Sequence, residues 1–288
     1  MAASIVEPLN DLARFQGKPA LERIRREFLP LVDVPAWRAL VEEFLVMESP
    51  RTGYAHPWFE PWSFAAAPGS GAHHAHMGGL ALHVLQGLCN AKALADAHEA
   101  RGLPLRRGLL YAAILLHDSM KRFIYRFTEE HALEKSEDPF IGKREDHHSW
   151  LLRELHARGV DRELLLAVAA MHGVDDVSLA DGVRPLAVVN HYLSISGTGL
   201  VMTSEEVSAE HVFGFLADSD WPWSGRAQQR CAAVAGPLAR RFGVAEAYMR
   251  LYLGSRFGFE AVDALAGAHG PEAAAELLAG RMAQGLSS

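Results

Sequence analysis

The chain has 288 residues, of which 49% are hydrophobic and 22% are charged, a composition ordinary for a globular protein that buries a sizeable core. Its 28 basic and 35 acidic residues give a formal net charge of −7, which opposes extended contact with a nucleic-acid backbone. Only 2 cysteines occur, which excludes both a disulfide framework and a thiolate metal site.

The start of the sequence lacks the basic segment and the long apolar stretch of a signal peptide. No apolar run approaches the ~20 residues that a membrane-spanning helix needs. We therefore expect a cytoplasmic protein without a membrane partner.

Apolar residues recur every three or four positions along most of the chain, which predicts an all-α fold. Residues 1–70 are predicted to form an N-terminal helical extension and an ordered loop, because the stretch 51–79 is rich in Pro, Gly, His and aromatic residues. Residues 71–200 form the predicted histidine-bearing core, and residues 201–288 a helical C-terminal portion packed on it. We expect one globular unit.

The doublet His117-Asp118 closes the apolar run 109–116. Burying such an ionisable pair is costly unless something compensates it. A divalent metal is the usual compensation, because imidazole and carboxylate together suit Fe, Mn, Ni or Zn, with Mg less favoured. Three further histidines lie on apolar helical faces: His83, His147 and His172. Helical bundles build metal sites from inward side chains on facing helices, so the pattern predicts one or two divalent metal ions per chain.

Three stretches of the chain carry a resemblance to a known family. The stretch His73-His74-Ala75-His76-Met77-Gly78-Gly79-Leu80-Ala81-Leu82-His83 is similar to a His-His…Gly-Gly-Leu-Leu-Glu-His signature. His117-Asp118-Ser119-Met120-Lys121 resembles a His-Asp-x-x-Lys motif, and Met171-His172-Gly173 resembles a later His-Gly step. All three are typical of the HD-domain superfamily of metal-dependent phosphohydrolases, in the branch of the exoribonuclease-type and conjugative-relaxase-associated HD domains. The resemblance covers residues 73–197 and implies an HD-type helical core.

Two ligand positions stay open. The family's final ligand is an Asp on a late helix, and the corresponding segment here places His191 at that position, beside Asn190. A neutral imidazole binds metal well, whereas the Asn amide is a weaker donor. The other open position is His147 or His148. The family spacing favours His147, whereas helical periodicity gives His148 almost equal support, and we expect His147 to be the ligand.

The resemblance implies that His83, His117, Asp118 and His191 hold one metal, and that Asp118 bridges to a second metal held by His147 and His172. Two such metals activate water for in-line attack at phosphorus. Lys121 is expected to act with Asp118 in catalysis by gripping a phosphate oxygen, and Arg122 is a further candidate for substrate binding.

The expected substrate is a small phosphate mono- or diester, a nucleotide or short oligonucleotide, rather than an extended nucleic acid. Two alternatives from other classes remain. One is an HD-type mixed-valent di-iron oxygenase that oxidises a small anionic substrate. The other is a non-catalytic regulatory HD domain whose site has decayed, a reading that only the Asp-to-His change supports.

Two groups of residues are predicted to be structural. Three histidines precede His83: His73, His74 and His76. They are candidates for lining the mouth of a substrate site, but we expect them to lie in an ordered loop that hydrogen-bonds locally. Trp58 and Trp62 are candidates for a lid or a base-stacking surface. The tryptophans of the two Pro-rich segments are nevertheless expected in the core, as aromatic residues usually are: Trp58, Trp62, Trp221 and Trp223.

Overall fold

The computed structural model of the chain describes residues 5–52, 61–135, 147–172 and 185–285. The fold is all-α, as the apolar periodicity predicts. The α-helices are α1 Leu9–Leu12, α2 Gly17–Arg23, α3 Pro35–Val46, α4 Gly79–Glu99, α5 Arg107–Leu116, α6 Lys121–Ile124, α7 His147–Ala157, α8 Arg162–Ala170, α9 Pro185–Ile195, α10 Ala209–Asp218, α11 Trp221–Arg230, α12 Ala232–Phe242, α13 Glu246–Phe257, α14 Phe259–His269 and α15 Pro271–Gly285.

Short irregular elements connect some of these helices. A π-helical turn, Ile24–Phe28, and a 3₁₀ turn, Leu29–Leu31, link α2 to α3, and a second 3₁₀ turn, Ser204–Glu206, precedes α10. An antiparallel hairpin pairs β1 Tyr125–Phe127 with β2 Leu133–Lys135. The sequence did not predict this hairpin, because three-residue strands are too short to show a clear alternation of apolar and polar residues.

Helix α5 lies at the centre of the larger apolar cluster. Its residues 108–116 are all buried, which is expected of a helix that is hydrophobic around its whole circumference. Helices α3, α4, α8 and α10 pack against it. The His117-Asp118 doublet follows directly, so it is carried into the interior by the most buried helix of this cluster.

A second apolar cluster joins the two ends of the chain. Ile5 and Leu12 pack there with the C-terminal helices α11–α15. The hydroxyl group of Tyr248 donates a hydrogen bond to the carbonyl oxygen of Ile5 at 2.8 Å and accepts one from the backbone N–H of Glu7 at 2.9 Å. The N-terminal segment is therefore bound to the C-terminal helices rather than to the neighbouring α3.

The larger cluster extends past residue 200, where we expected the histidine-bearing core to end. Helix α10 packs against α4, α5 and α8, and Ala217 is fully buried among them. The side-chain amide of Asn90 on α4 donates to the carbonyl oxygen of Ala217 at 3.1 Å. At Gly214, a Cβ atom would lie 2.7 Å from the sulfur of Met171, so the glycine allows α10 to approach the end of α8.

The C-terminal helices also hold the loop that precedes α4. The backbone N–H of Ala75 donates to Oε1 of Gln228 on α11 at 2.8 Å, and that of Met77 donates to Oγ of Ser255 on α13 at 3.1 Å. Within the loop, the N–H of Ser70 donates to the carbonyl oxygen of His73 at 3.0 Å. The loop is ordered and hydrogen-bonds locally, as expected.

Trp58 lies outside the described residues, and the other three tryptophans differ from the expectation of a core position. Trp62 is half-buried and packs against both apolar clusters, and its indole N–H donates to the carbonyl oxygen of Tyr125 at 2.9 Å. Trp221 and Trp223 are 47% and 57% exposed, so the prediction that they lie in the core is wrong. They occupy the first turn of α11, which buries later residues instead.

Within the described ranges, none of the helices combines the length and the apolar composition that crossing a membrane would require.

Candidate metal centre

Five helices bring four histidines and two aspartates together. His83 lies one turn into α4, and His117 and Asp118 follow the last residue of α5. His147 is the first residue of α7, His172 lies two residues beyond α8, and Asp218 is the last residue of α10. Most of these side chains lie at helix ends, where the adjoining backbone turns orient them toward one point.

Asp118 lies between two sets of imidazoles. Its Oδ2 atom is 3.1 Å from Nε2 of His83 and 3.4 Å from Nε2 of His117. Its Oδ1 atom is 3.0 Å from Nε2 of His147 and 3.7 Å from Nε2 of His172. The carboxylate therefore has the position of a bridge between two groups of nitrogen donors.

Asp218 closes the other side of the cluster. Its Oδ1 atom is 2.9 Å from Nε2 of His83 and 3.1 Å from Nε2 of His117, and its Oδ2 atom is 3.5 Å from Nε2 of His172. The motifs of the sequence do not indicate this residue. The signal that could have found it is the apolar helix that ends in Leu216-Ala217-Asp218 and presents a carboxylate as it leaves the core.

The structure does not bring His191 to the cluster. Its side chain on α9 is exposed, whereas Val189 and Leu193 on the opposite face are buried. Asn190 forms its hydrogen bonds elsewhere. Its side-chain amide donates to the carbonyl oxygen of Met202 at 3.0 Å and accepts from the backbone N–H of Met202 at 2.7 Å. The second carboxylate of this cluster is therefore that of Asp218, and neither His191 nor Asn190 takes its place.

Of the two adjacent histidines on α7, His147 faces the cluster. The ring of His148 is buried behind it, with its centroid 4.4 Å from that of His172. Nε2 of His148 lies 3.2 Å from the carbonyl oxygen of Ala169, within hydrogen-bond distance. His148 thus packs against His172 and the end of α8.

The two carboxylates create a strong demand for positive charge. Burial alone would lower the pKa of His117, but Asp118 and Asp218 outweigh it and raise that pKa to about 10. Burial would raise the pKa of Asp118, yet His117 and Lys121 hold it well below its usual range. Both carboxylates are therefore ionised in the interior, which is stable only with a compensating cation.

The orientation of the donors fits a divalent metal. Nδ1 of His117 donates a hydrogen bond to the carbonyl oxygen of Ile114 at 2.7 Å, so that Nε2 faces the carboxylates and is the atom that would bind a metal after it releases its proton. Oδ1 of Asp118 and Nε2 of His147 are both buried and 3.0 Å apart, yet their angles do not form a regular hydrogen bond with each other or with another described residue. Among the described residues, three sets have donor atoms that all lie within 4.8 Å of one another: His83, His117 and Asp218; His117, Asp118 and His172; and His73, His74 and His83.

The two basic residues after the doublet have different positions. Lys121 is 4% exposed, forms an ion pair with Oδ2 of Asp118 and lines the pocket over the centre. Arg122 points away: its guanidinium group donates to the carbonyl oxygens of Trp62 at 2.8 Å and Phe44 at 3.3 Å. The prediction that Arg122 binds substrate is therefore not supported, because this side chain braces the loop before α4.

A pocket of about 260 Å³ opens over the centre. Four of the donors line it: His83, His147, His172 and Asp218. Lys121 and five aromatic or imidazole side chains complete the lining: His73, Tyr125, Tyr192, Phe215 and Trp221. This size lies near the lower end of the roughly 300–1,000 Å³ typical of small-molecule sites. The donors are therefore accessible to a small ligand.

Comparison with known proteins gives no match: no family model, no curated protein and no solved structure matches this chain. The chemistry of the site therefore has to be argued from its geometry.

Proposed function

We propose that this protein is a metal-dependent hydrolase of small phosphate mono- or diesters. The observation that carries the proposal is the convergence of four imidazoles on two carboxylates, the buried Asp118 and the partly exposed Asp218, beneath a pocket that a small molecule can enter. The resemblance of three sequence motifs to HD-domain phosphohydrolases points to the same chemistry.

The donor set is suited to one or two ions of Fe, Mn, Ni or Zn, since imidazole and carboxylate are mixed. His83, His117 and Asp218 would hold one ion, His147 and His172 would hold the other, and Asp118 would serve both. Such ions, when bound, supply Lewis acidity and make water a usable nucleophile near neutral pH.

The side chains of the protein have separate tasks in this proposal. Asp118 and Asp218 keep the imidazole nitrogens oriented and hold the cationic charge at the floor of the pocket. Lys121 places its ammonium group beside Asp118 at the same floor, where it attracts an anionic substrate and stabilises charge that develops on a phosphoryl oxygen. The net charge of −7 disfavours a long polyanion.

The test is metal analysis of the purified protein followed by hydrolysis of bis-p-nitrophenyl phosphate and p-nitrophenyl phosphate with added Mn²⁺ or Fe²⁺. We expect bound metal, metal-dependent release of p-nitrophenol, and loss of both in His117→Ala. His191→Ala is the matched control, because this exposed histidine lies outside the centre.

Two outcomes would replace the proposal. Two bound irons with substrate-dependent O₂ uptake and no phosphate release would establish the di-iron oxygenase. Absence of metal from a folded protein, even after incubation with each of the four metals, would establish a non-catalytic domain.

A further inference from the structure

Next to the metal centre, three buried imidazoles form a donor set that contains no carboxylate. The donor atoms of His73, His74 and His83 all lie within 4.8 Å of one another. Nδ1 of His73 is 2.9 Å from Nδ1 of His74. The ring centroid of His83 lies 4.9 Å from that of His73 and 5.4 Å from that of His74. Of these three residues, His83 is the one shared with the centre.

The ring of His83 has a nitrogen that the centre does not use. Its Nε2 atom faces both carboxylates, at 3.1 Å from Asp118 and 2.9 Å from Asp218. Its Nδ1 atom is buried and has no hydrogen-bond partner among the residues that the structure describes. His117 differs, because its Nδ1 donates to the carbonyl oxygen of Ile114. A metal-binding imidazole normally gives its second nitrogen such a partner, and His83 lacks one.

The ring of His74 offers its Nδ1 lone pair to this group. Its Nε2 atom lies 2.8 Å from Oε1 of Gln86, so Nε2 carries the proton and Nδ1 is an acceptor. The backbone of His74 has a φ of 55°, in the left-handed region that non-glycine residues rarely adopt. Gly69 and Gly79 leave room for this conformation, because a Cβ atom on either would collide with His74. The surrounding backbone therefore holds His74 in an unfavourable conformation beside His73.

Glu260 places a negative charge beside the same group. Its Oε1 atom is 3.6 Å from Nε2 of His74, beyond hydrogen-bond distance. This oxygen is buried, and it has no hydrogen-bond partner among the described residues. A buried carboxylate oxygen in this state needs a cation nearby. The carboxylate and the unpartnered nitrogen of His83 thus indicate the same kind of ligand.

We propose that His73, His74 and His83 bind a further divalent metal ion through their Nδ1 atoms, separately from the ions of the centre. Two nitrogens 2.9 Å apart and each about 2.1 Å from one ion subtend an angle of about 90°, which a single ion accommodates. On binding, the proton on Nδ1 of His73 moves to Nε2 of the same ring. The proton on Nδ1 of His83 is released to solvent, and the resulting imidazolate bridges this ion to the centre.

The donor set determines which ion binds and how tightly. Three imidazoles suit Zn²⁺, Cu²⁺ or Ni²⁺ and disfavour Mg²⁺. The ion has no carboxylate ligand and lies beside the cations of the centre, so it is the most weakly held and requires added metal. His73 lines the pocket, through which the ion enters. The site does not depend on phosphate hydrolysis.

The test counts the ions bound at each free concentration of zinc. The full-length protein and its variants are dialysed against buffered Zn²⁺ at increasing free concentrations, and zinc per chain is measured by plasma mass spectrometry. His73→Phe keeps a ring but removes both nitrogens, and His74→Asn introduces a residue that tolerates positive φ. His76→Phe is the matched control, because His76 is fully buried in the same loop and lies outside the three donor sets.

We expect His73→Phe and His74→Asn each to bind one zinc ion fewer than the wild type. The loss should fall on the last step of the titration, while the earlier steps stay unchanged. His76→Phe should match the wild type, and excess Mg²⁺ should not displace the last ion. Circular dichroism verifies the helical content of each variant. If His74→Asn does not fold, His73→Phe decides, because its ring replaces another ring at the pocket wall.

The site is overturned if a folded His73→Phe or His74→Asn variant binds as many zinc ions as the wild type, or if His76→Phe loses the same ion. Failure of the proposed function gives a different result. A protein that hydrolyses no phosphate ester but loses one ion in His73→Phe retains the site. A protein that hydrolyses phosphate esters and binds equal numbers of ions in wild type and His73→Phe lacks the site and keeps the proposed function.

Discussion

Nε2 of His117 lies 3.1 Å from Oδ1 of Asp218, although 101 positions separate these residues in the sequence. Asp218→Asn should therefore weaken metal binding at the same centre as His117→Ala. The amide keeps the size of the carboxylate but removes its charge and one of its acceptor oxygens. We expect a loss of metal affinity of at least ten-fold, measured by competition with a chromophoric chelator.

The control for this substitution is Asp220→Asn, two positions along the chain. Asp220 is not among the donors, and its Oδ2 atom lies 3.5 Å from the amide of Asn90. Wild-type metal content in Asp218→Asn would contradict the place that we give to Asp218.

Metal removal should lower the thermal stability of the protein. Without a cation, Asp118 and Asp218 face each other's charge in the interior, and the binding energy of the ion is lost from the folded state. An ion bound at 100 times its Kd stabilises by about 2.7 kcal/mol, which corresponds to a Tm decrease of about 5–10 °C on chelation for a chain of this size. Scanning calorimetry of the protein with and without chelator measures this decrease in Tm.

The same experiment on Asp118→Asn gives the control, because this variant should show almost no Tm change when chelator is added. An equal decrease in wild type and variant would mean that the stabilising metal binds outside the proposed centre.

Glu154 should stabilise the fold in a pH-dependent way. It is fully buried on α7. It accepts hydrogen bonds from the hydroxyl group of Thr52 at 2.6 Å, from the backbone N–H groups of Arg51 and Thr52 at 2.9 and 2.7 Å, and from Arg158 at 2.6 Å. Burial would raise the pKa of Glu154, but these donors outweigh it and lower that pKa. The stabilisation is therefore complete above the unfolded pKa of about 4.3 and is lost as the pH falls through the lower folded pKa.

Glu154→Gln should lower the free energy of unfolding by about 1.5–3 kcal/mol at pH 7, since bonds to a charged acceptor are replaced by an amide that faces donors. The difference from wild type should shrink as the pH falls below about 4. Urea denaturation at several pH values measures both. Glu43→Gln, which removes the exposed partner of the same Arg158, should have a small effect at every pH.

Gly79 should not tolerate a side chain, although it occupies the first position of a helix. A Cβ atom there would lie 2.0 Å from the carbonyl oxygen of His74 and 2.9 Å from the backbone nitrogen of Gly69, and neither backbone atom can rotate away. Gly79→Ala should cost about 1–3 kcal/mol by overpacking. It should also displace the loop that carries His73.

Gly267→Ala on the exposed side of α14 is the comparison, because no atom lies within 4 Å of the added Cβ. This variant should gain about 0.5–1 kcal/mol from its higher helix propensity. If both alanine variants were stabilising in urea denaturation, the close approach of His74 to Gly79 would be refuted.

The sequence predicts most of the candidate centre because its donors lie at recognisable points of helical patterns. His83 lies on an apolar helical face, and His117 and Asp118 follow an apolar run. The choice between His147 and His148 needed the structure, since adjacent positions at the start of a helix differ in direction by an amount that periodicity does not resolve.

Asp218 could not be assigned from the sequence for a physical reason. An aspartate after a helix is common, and its meaning depends on which helices pack against that end. The apolar pattern of α10 predicts that one face is buried but not that it is buried against α4 and α5. The exposed indole of Trp221 was missed for the opposite reason, because a general preference for burial does not identify a side chain that lines a pocket.

The bond between Tyr248 and Ile5 ties the first described residues to helix α13. Opening of the C-terminal helices would release the N-terminal segment in the same event, although the intervening polypeptide belongs to the other apolar cluster. In hydrogen-exchange experiments the two extremities should consequently behave as one cooperative unit, with amides of α1 and α13 losing protection together.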